Sequence, residues 1–182
     1  DRRPTLPEGH PVIVLVIVSL AAATAAALPP VSRVAWWLPS VMATSALAVA
    51  GLASVARSTP VTGVAAAVSI VLCGLAAVFG GLTLAPTVFR LAPTVSGTDG
   101  ADDRPDTVLR GGLVIGALER TAVVVAVLAG WPEGIAVVLA VKGLARYPEL
   151  RRAQSSEYFI IGTFASVLWA AAAGGIGLAL LR

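Results

Sequence analysis

Charged residues are scarce in this chain, and their scarcity excludes most ordinary soluble folds. Only 13% of its 182 residues are Asp, Glu, Lys or Arg, whereas 57% are hydrophobic. A soluble domain carries about 25% charged residues, which cover the surface that faces water. A chain with half that charge cannot form such a surface, so lipid is its expected solvent.

Cysteine and histidine are almost absent, which excludes several kinds of site. The single Cys73 cannot form an internal disulfide, and its position in an apolar run is typical of a small packed residue. The single His10 cannot form a metal site alone, so we expect no metal and no cofactor. The sequence also has no P-loop, HExxH motif, CxxC pair or nucleophile elbow. An enzymatic function is therefore not favoured.

Long apolar runs take up most of the chain. A run of about 20 apolar residues forms a helix that spans a hydrocarbon core of about 30 Å. The alternation over about 10 residues that marks barrel strands is missing from the sequence. We therefore predict an all-α fold, a polytopic transmembrane bundle of about six helices. The predicted helices are Pro11–Leu28, Val34–Ala56, Val61–Leu84, Asp106–Gly130, Trp131–Tyr147 and Glu157–Leu181.

One polar segment divides the chain into two predicted halves. Residues 96–106 form the strongly polar loop, between an N-terminal half of three helices (1–95) and a C-terminal half of three helices (107–182). Pro86 is expected to break the third helix, because proline interrupts a helix interior. The first run is predicted to be a retained helix and not a secretory signal, since Pro29, Pro30 and Arg33 follow it.

The arginines predict a location and an orientation. More of them lie on the side of loops one, three and five, which favours the cytoplasm for those loops and the outside for both termini. The expected location is the inner (cell) membrane, with multiple passes. Basic residues at helix ends predict no nucleic-acid partner, so the expected partners are the lipid bilayer and either further copies of the chain or another membrane subunit.

Two full charges interrupt the fourth apolar run, where Glu119 and Arg120 are adjacent. The short connection after Gly130 predicts an antiparallel hairpin, which brings charges of the last three helices to one membrane face. Lys142 and Arg146 share one side of the fifth helix because they are four residues apart. The predicted cluster, a candidate substrate-binding site, comprises Glu119, Arg120, Lys142, Arg146, Glu157 and Tyr158.

This cluster allows two interpretations. A charge at the bilayer centre costs about 2.5–3.5 kcal/mol on insertion scales, so each needs a partner. We expect Glu119 to pair with Lys142, and Glu157 to pair with Arg146 or Arg120. The pairs could lock three helices in register, or they could line a cavity that binds or passes a solute, an ion or a lipid headgroup. Gly112 and Gly116 form a GxxxG pattern, which permits close helix packing under either interpretation.

Three segments of the C-terminal half resemble a known pattern. They are GALER at 116–120, KGLARYPEL at 142–150 and EYFIIGTFAS at 157–166. Together they resemble the membrane region of some members of the DUF3307 family of bacterial membrane proteins, with the pattern GxLER, KxxxR[FY]xEL and EYFxIGT. The resemblance covers residues 112–181 and not residues 1–105, and Tyr147 replaces the usual Phe. It implies that the charged residues are a family signature, and it implies no activity.

Three functional classes remain. The first is transport or permeation of a small solute or ion through a charged polar cavity. The second is a structural or accessory subunit of a membrane complex, in which the charges hold the helices together. The third is an enzyme acting on a lipid headgroup, with the arginines and Lys142 as phosphate ligands. It ranks last because such enzymes use clustered acids to bind Mg²⁺, and the acids within these helices are not clustered.

Overall fold

A computed structural model of the chain describes residues 10–26, 37–56, 59–91, 112–147 and 153–182. Within these ranges, the description covers the backbone alone at residues 10–11, 85–86, 89–91 and 153–158. The described residues form helices joined by turns and short connections, and they contain no strand. The helices are α1 (His10–Ala25), α2 (Leu38–Val55), α3 (Gly63–Leu75), a π-helical segment (Ala76–Gly80), α4 (Gly81–Leu91), α5 (Gly112–Leu128), α6 (Glu133–Ala145) and α7 (Ala153–Leu181).

The number of helices confirms the sequence prediction. The π-helical segment joins α3 and α4 without a break, so the described residues contain six continuous helices, each within or overlapping a predicted apolar run. The polar loop at 96–106 lies outside the described residues. Packing is continuous across the predicted division, because α7 contacts α2, α3 and α4 as well as α5.

α7 occupies the centre of the bundle, where small residues let its neighbours approach closely. A Cβ at Gly174 would lie 3.1 Å from the Val127 Cβ on α5. A Cβ at Gly177 would lie 3.1 Å from a Leu128 methyl group and 3.3 Å from the Cys73 Sγ. Because each glycine omits a side chain, α7 packs against α5 and α3 at short range.

Apolar side chains cover the exterior as well as the core. Leu20 and Leu180 are completely enclosed, yet Leu52 is 74% exposed and Val64 is 80% exposed. A soluble protein rarely exposes large apolar side chains over so much of its surface. Hydrocarbon chains are a suitable neighbour for this exterior, so the bundle is compatible with an integral membrane protein.

Three helices are long and apolar enough to span a membrane. They are Leu38–Val55, Gly63–Leu84 and Phe159–Leu181, as found among the described residues. The apolar part of α1 is shorter, and α5 and α6 have 17 and 13 residues. Six passes therefore stay a prediction, as do the membrane and the sides of the loops.

One expectation about local structure is wrong. Pro86 does not end the third predicted helix, because the C-terminal part of that helix, α4, continues through the proline to Leu91. A proline removes one backbone donor, and neighbouring helices can satisfy the freed carbonyl inside an apolar bundle. Among the described residues, nothing lies within 4 Å of a Cβ placed at Gly112 of the GxxxG pattern. The close contacts occur at Gly174 and Gly177 and beside the π-helical segment.

Candidate functional site

Glu119 and Lys142 form an ion pair between the two arms of the α5–α6 hairpin. The Lys142 Nζ donates a hydrogen bond to the Glu119 Oε2, which confirms the predicted pairing. The side chains are 22% exposed at Lys142 and 17% exposed at Glu119. Gly130, with a φ of 67°, makes the tight turn that sets these two residues at the same height. α6 packs principally on α5, so the pair lies near the edge of the bundle.

Arg120 points away from this pair, toward the interior. Its Nε donates to the Ser166 Oγ on α7 at 3.0 Å, and the whole residue is 6% exposed. Its Nη1 donates to the Val78 carbonyl at 3.0 Å, and its Nη2 donates to the Gly81 carbonyl at 3.1 Å. One guanidinium therefore joins α5 to α7 and to the helix that contains the π-helical segment.

Two adjacent glycines make room beside this segment for two large side chains. A Cβ at Gly81 would lie 2.7 Å from the Arg120 Cζ, and a Cβ at Gly80 would lie 2.9 Å from the Trp169 Cε2. The Trp169 Nε1 donates to the Ala76 carbonyl at 3.0 Å. Carbonyls of the segment and of the residue that follows it thus accept from donors on two different helices.

Hydroxyl groups extend the polar interior from α4 to α2. The Ser40 Oγ donates to the Thr83 carbonyl at 2.8 Å and lies 2.6 Å from the Thr87 Oγ1. Thr83 donates its own hydroxyl to the Gly80 carbonyl at 2.8 Å. Hydrogen bonds of this kind hold membrane helices together because water is not available as a partner.

The structure divides the predicted cluster into two parts. Adjacent residues on a helix point about 100° apart, so Glu119 faces α6 while Arg120 faces α7 and the π-helical segment. Arg146 immediately follows α6 and is half-buried. Glu157 and Tyr158 lie near the start of α7, but their side chains lie outside the described residues. The pairing of Glu157 with Arg146 stays a prediction.

The alternative pairing of Glu157 with Arg120 also stays a prediction, because the Glu157 side chain lies outside the described residues. Glu157 is nine residues before Ser166, or about 13 Å along α7. The three described hydrogen bonds of Arg120 are directed to Ser166 and to the carbonyls of Val78 and Gly81. The guanidinium is therefore held far from the first turns of α7.

The described contacts of these groups are hydrogen bonds and one ion pair. Arg120 presents a buried cation to neutral oxygen atoms, and the nearest acid in sequence, Glu119, is bound to Lys142. A guanidinium has five N–H donors, of which three are accounted for by the described acceptors. No group of three or more His, Cys, Asp or Glu that could hold a metal occurs in the part of the chain that the structure describes.

Sequence reasoning missed Trp169, Gly80, Gly81 and the role of Ser166. Thr121 bonds to its own helix at the Ala117 carbonyl, as hydroxyls in helices commonly do, whereas Ser166 accepts from Arg120. A signal for Trp169 does exist in the sequence. Trp169 lies in the middle of an apolar run instead of at an end, and a buried indole N–H needs a hydrogen-bond acceptor.

The chain matches no family model, no curated protein and no solved structure. The resemblance of residues 112–181 to the DUF3307 pattern therefore stays a prediction.

Proposed function

We propose that this protein binds a small anion within the membrane and lets it cross, with Arg120 as the charge that the anion meets. The observation that supports this proposal is the burial of Arg120 among neutral acceptors. At 6% exposure, its described partners are one hydroxyl and two backbone carbonyls. An ionised side chain inside a membrane helix is costly and is found mainly where it serves function.

An anion would supply the full negative charge that the described hydrogen-bond acceptors of Arg120 lack. The carbonyls of Val78 and Gly81 satisfy N–H donors but carry no full negative charge. The carboxylate of Glu119 is bound to Lys142 and faces α6, about 100° around α5 from Arg120. Two guanidinium N–H donors remain beyond the three described bonds, and hydroxyl groups at Ser166 and Thr163 are buried nearby on α7. A guanidinium with adjacent hydroxyl groups suits a halide or a small oxyanion.

The test is anion flux through reconstituted protein. Purified full-length chain is inserted into vesicles that contain a halide-quenched dye, and chloride and nitrate entry are measured against protein-free vesicles. We expect flux well above the protein-free rate, a loss of at least ten-fold with Arg120→Gln, and partial retention with Arg120→Lys. The double variant Glu119→Gln with Lys142→Gln is the control, because it removes the other charged pair and leaves Arg120.

Two results would count against anion permeation. The first is flux equal to that of protein-free vesicles when the protein is folded, as judged by its elution as a single species in detergent. The second is undiminished flux with folded Arg120→Gln.

A second candidate function, as an accessory subunit of a membrane complex, is favoured by the exposure of α6. This helix packs principally on α5 and leaves Val137, Val141 and Leu144 more than half exposed. It has 13 residues, about 20 Å of length, and a helix shorter than the bilayer can be accommodated by association with another protein.

The test of this second function is photo-crosslinking from position 141, followed by purification in mild detergent, which should give one stoichiometric partner. Position 138, which is less exposed, is the control. Crosslinks to lipid alone would argue against this function.

A further inference from the structure

The π-helical segment determines which face α4 presents to the rest of the bundle. A π turn accommodates one extra residue compared with an α-helix. Every residue after the segment is therefore displaced by one position, which corresponds to about 100° of rotation and 1.5 Å of rise. Thr83 and Thr87 on α4 follow the segment, so their direction depends on whether it is π-helical.

The described direction of α4 brings it into contact with α2. The Ser40 Oγ lies 2.6 Å from the Thr87 Oγ1, and both residues are buried. In an uninterrupted α-helix, position 86 would take the place of Thr87. Position 86 is a proline, which has no hydroxyl group to offer. The Ser40–Thr87 contact thus requires the extra residue of the π turn.

Donors from two other helices support the π turn. A π turn leaves a backbone carbonyl without its usual α-helical partner, and a buried carbonyl needs a donor. Trp169 supplies one to Ala76, while Arg120 supplies one to Val78 and one to Gly81. The glycines at 80 and 81 leave the space that these two side chains fill.

We infer that Arg120 and Trp169 act as a register lock, holding the segment in its π form and so keeping α4 turned toward α2. The contact between α4 and α2 then depends on a side chain of α5 whose described hydrogen bonds go to neither Ser40 nor Thr87. When the guanidinium withdraws from the Val78 and Gly81 carbonyls, the segment can become α-helical. α4 then rotates about its own axis by about 100°. This inference concerns how the helix is held, and it stands whether or not an anion crosses the protein.

Disulfide crosslinking between α2 and α4 measures the register. In a Cys73→Ala background, Ser40→Cys and Thr87→Cys place two thiols where the hydroxyls now meet. We expect efficient crosslinking with Arg120 present and a decrease of at least five-fold after Arg120→Met. Gly51→Cys with Ile176→Cys is the control pair between α2 and α7, since a Cβ at Gly51 lies 3.8 Å from the Ile176 Cγ1. The control should crosslink equally in both backgrounds.

Deletion of one residue distinguishes a register change from general loosening. Removing Val78 in the Arg120→Met protein lets an ordinary α-helix place Thr87 in its present position. We therefore expect the deletion to restore the Ser40–Thr87 crosslink that Arg120→Met removed. Undiminished crosslinking after Arg120→Met, or no recovery after the deletion while the control pair still forms, would overturn the inference.

If Arg120→Met does not fold, the control crosslink is lost as well. A second variant then tests the same inference. Trp169→Phe keeps the ring beside Gly80 and removes only the donor to Ala76. We expect it to lower the Ser40–Thr87 crosslink at least two-fold and to leave the control pair unchanged. An unchanged Ser40–Thr87 crosslink would overturn the inference in that case also.

Discussion

At the scale of single residues, Gly81 permits the position of Arg120. A Cβ there would lie 2.7 Å from the Arg120 Cζ, so the guanidinium or the backbone must move. We predict that Gly81→Ala lowers the free energy of unfolding by about 1–3 kcal/mol, the usual cost of overpacking. The measurement is thermal unfolding in detergent. Gly74→Ala is the matched control on α3, because nothing lies within 4 Å of a Cβ at that position. Equal unfolding midpoints for the two variants would contradict the described position of Arg120 beside Gly81.

Another prediction at this scale concerns the Glu119–Lys142 pair. Lys142→Gln leaves a carboxylate that is 17% exposed without its cation. Breaking a buried pair costs about 3–5 kcal/mol, and partial exposure should reduce this to about 1–3 kcal/mol. The charge-reversed protein, Glu119→Lys with Lys142→Glu, should recover most of that loss in detergent unfolding. Glu133→Gln, at an exposed acid, is the control and should change stability little. Additive losses in the reversed protein would show that the two charges do not interact.

At the scale of helices, Trp169 links α7 to the π-helical segment by one hydrogen bond. Trp169→Phe retains the apolar ring and removes the donor to the Ala76 carbonyl. Leaving that carbonyl unsatisfied should cost about 1–3 kcal/mol. It should also speed amide hydrogen exchange in residues 76–81 while exchange in α1 stays unchanged. Trp131→Phe is the control, because Trp131 is exposed at the α5–α6 turn. Equal exchange in the two variants would rule out the Trp169 bond as a support of the segment.

The helices themselves could be predicted from the sequence because apolar runs and turn residues are local signals. The same reasoning predicted the Glu119–Lys142 pair, since the short turn after Gly130 fixes the heights of both residues. The π-helical segment could not be predicted in this way. Its carbonyls are satisfied by Arg120 and Trp169, which are about 40 and 90 residues away in the chain, and only the packing of three helices reveals them. The expected break at Pro86 was wrong because α4 continues through the proline to Leu91, and the interior of a helical bundle tolerates prolines that would end an isolated helix.

At the scale of the whole molecule, the hydrogen bonds of Arg120 and Trp169 lie between the central helices and the ion pair lies at the edge. Arg120, Ser166 and Trp169 connect α5 and α7 to the long helix made of α3, the π-helical segment and α4. The Glu119–Lys142 pair connects only α5 to α6. Loss of the central bonds should therefore change how the long helix packs on α5 and α7, whereas loss of the ion pair should mainly free α6. This separation is what makes the ion pair a suitable control for experiments on Arg120.

The path of α6 relative to the membrane follows from its flanking residues and not from its length. Its 13 residues extend about 20 Å, less than the hydrocarbon core of about 30 Å. Exposed aromatic residues flank it, with Trp131 54% exposed before the helix and Tyr147 61% exposed after it. Aromatic side chains favour both membrane interfaces, so we predict that α6 crosses a locally thin bilayer.

Labelling of single cysteines decides the path. In a Cys73→Ala background, a membrane-impermeant maleimide should label Glu133→Cys in intact cells and Tyr147→Cys only after permeabilisation. This outcome follows from a crossing α6 with loop five in the cytoplasm. The opposite pattern would keep the crossing and reverse the predicted orientation. Labelling of both positions from the same side would show that α6 re-enters the membrane, because a helix that turns back leaves both ends on one face.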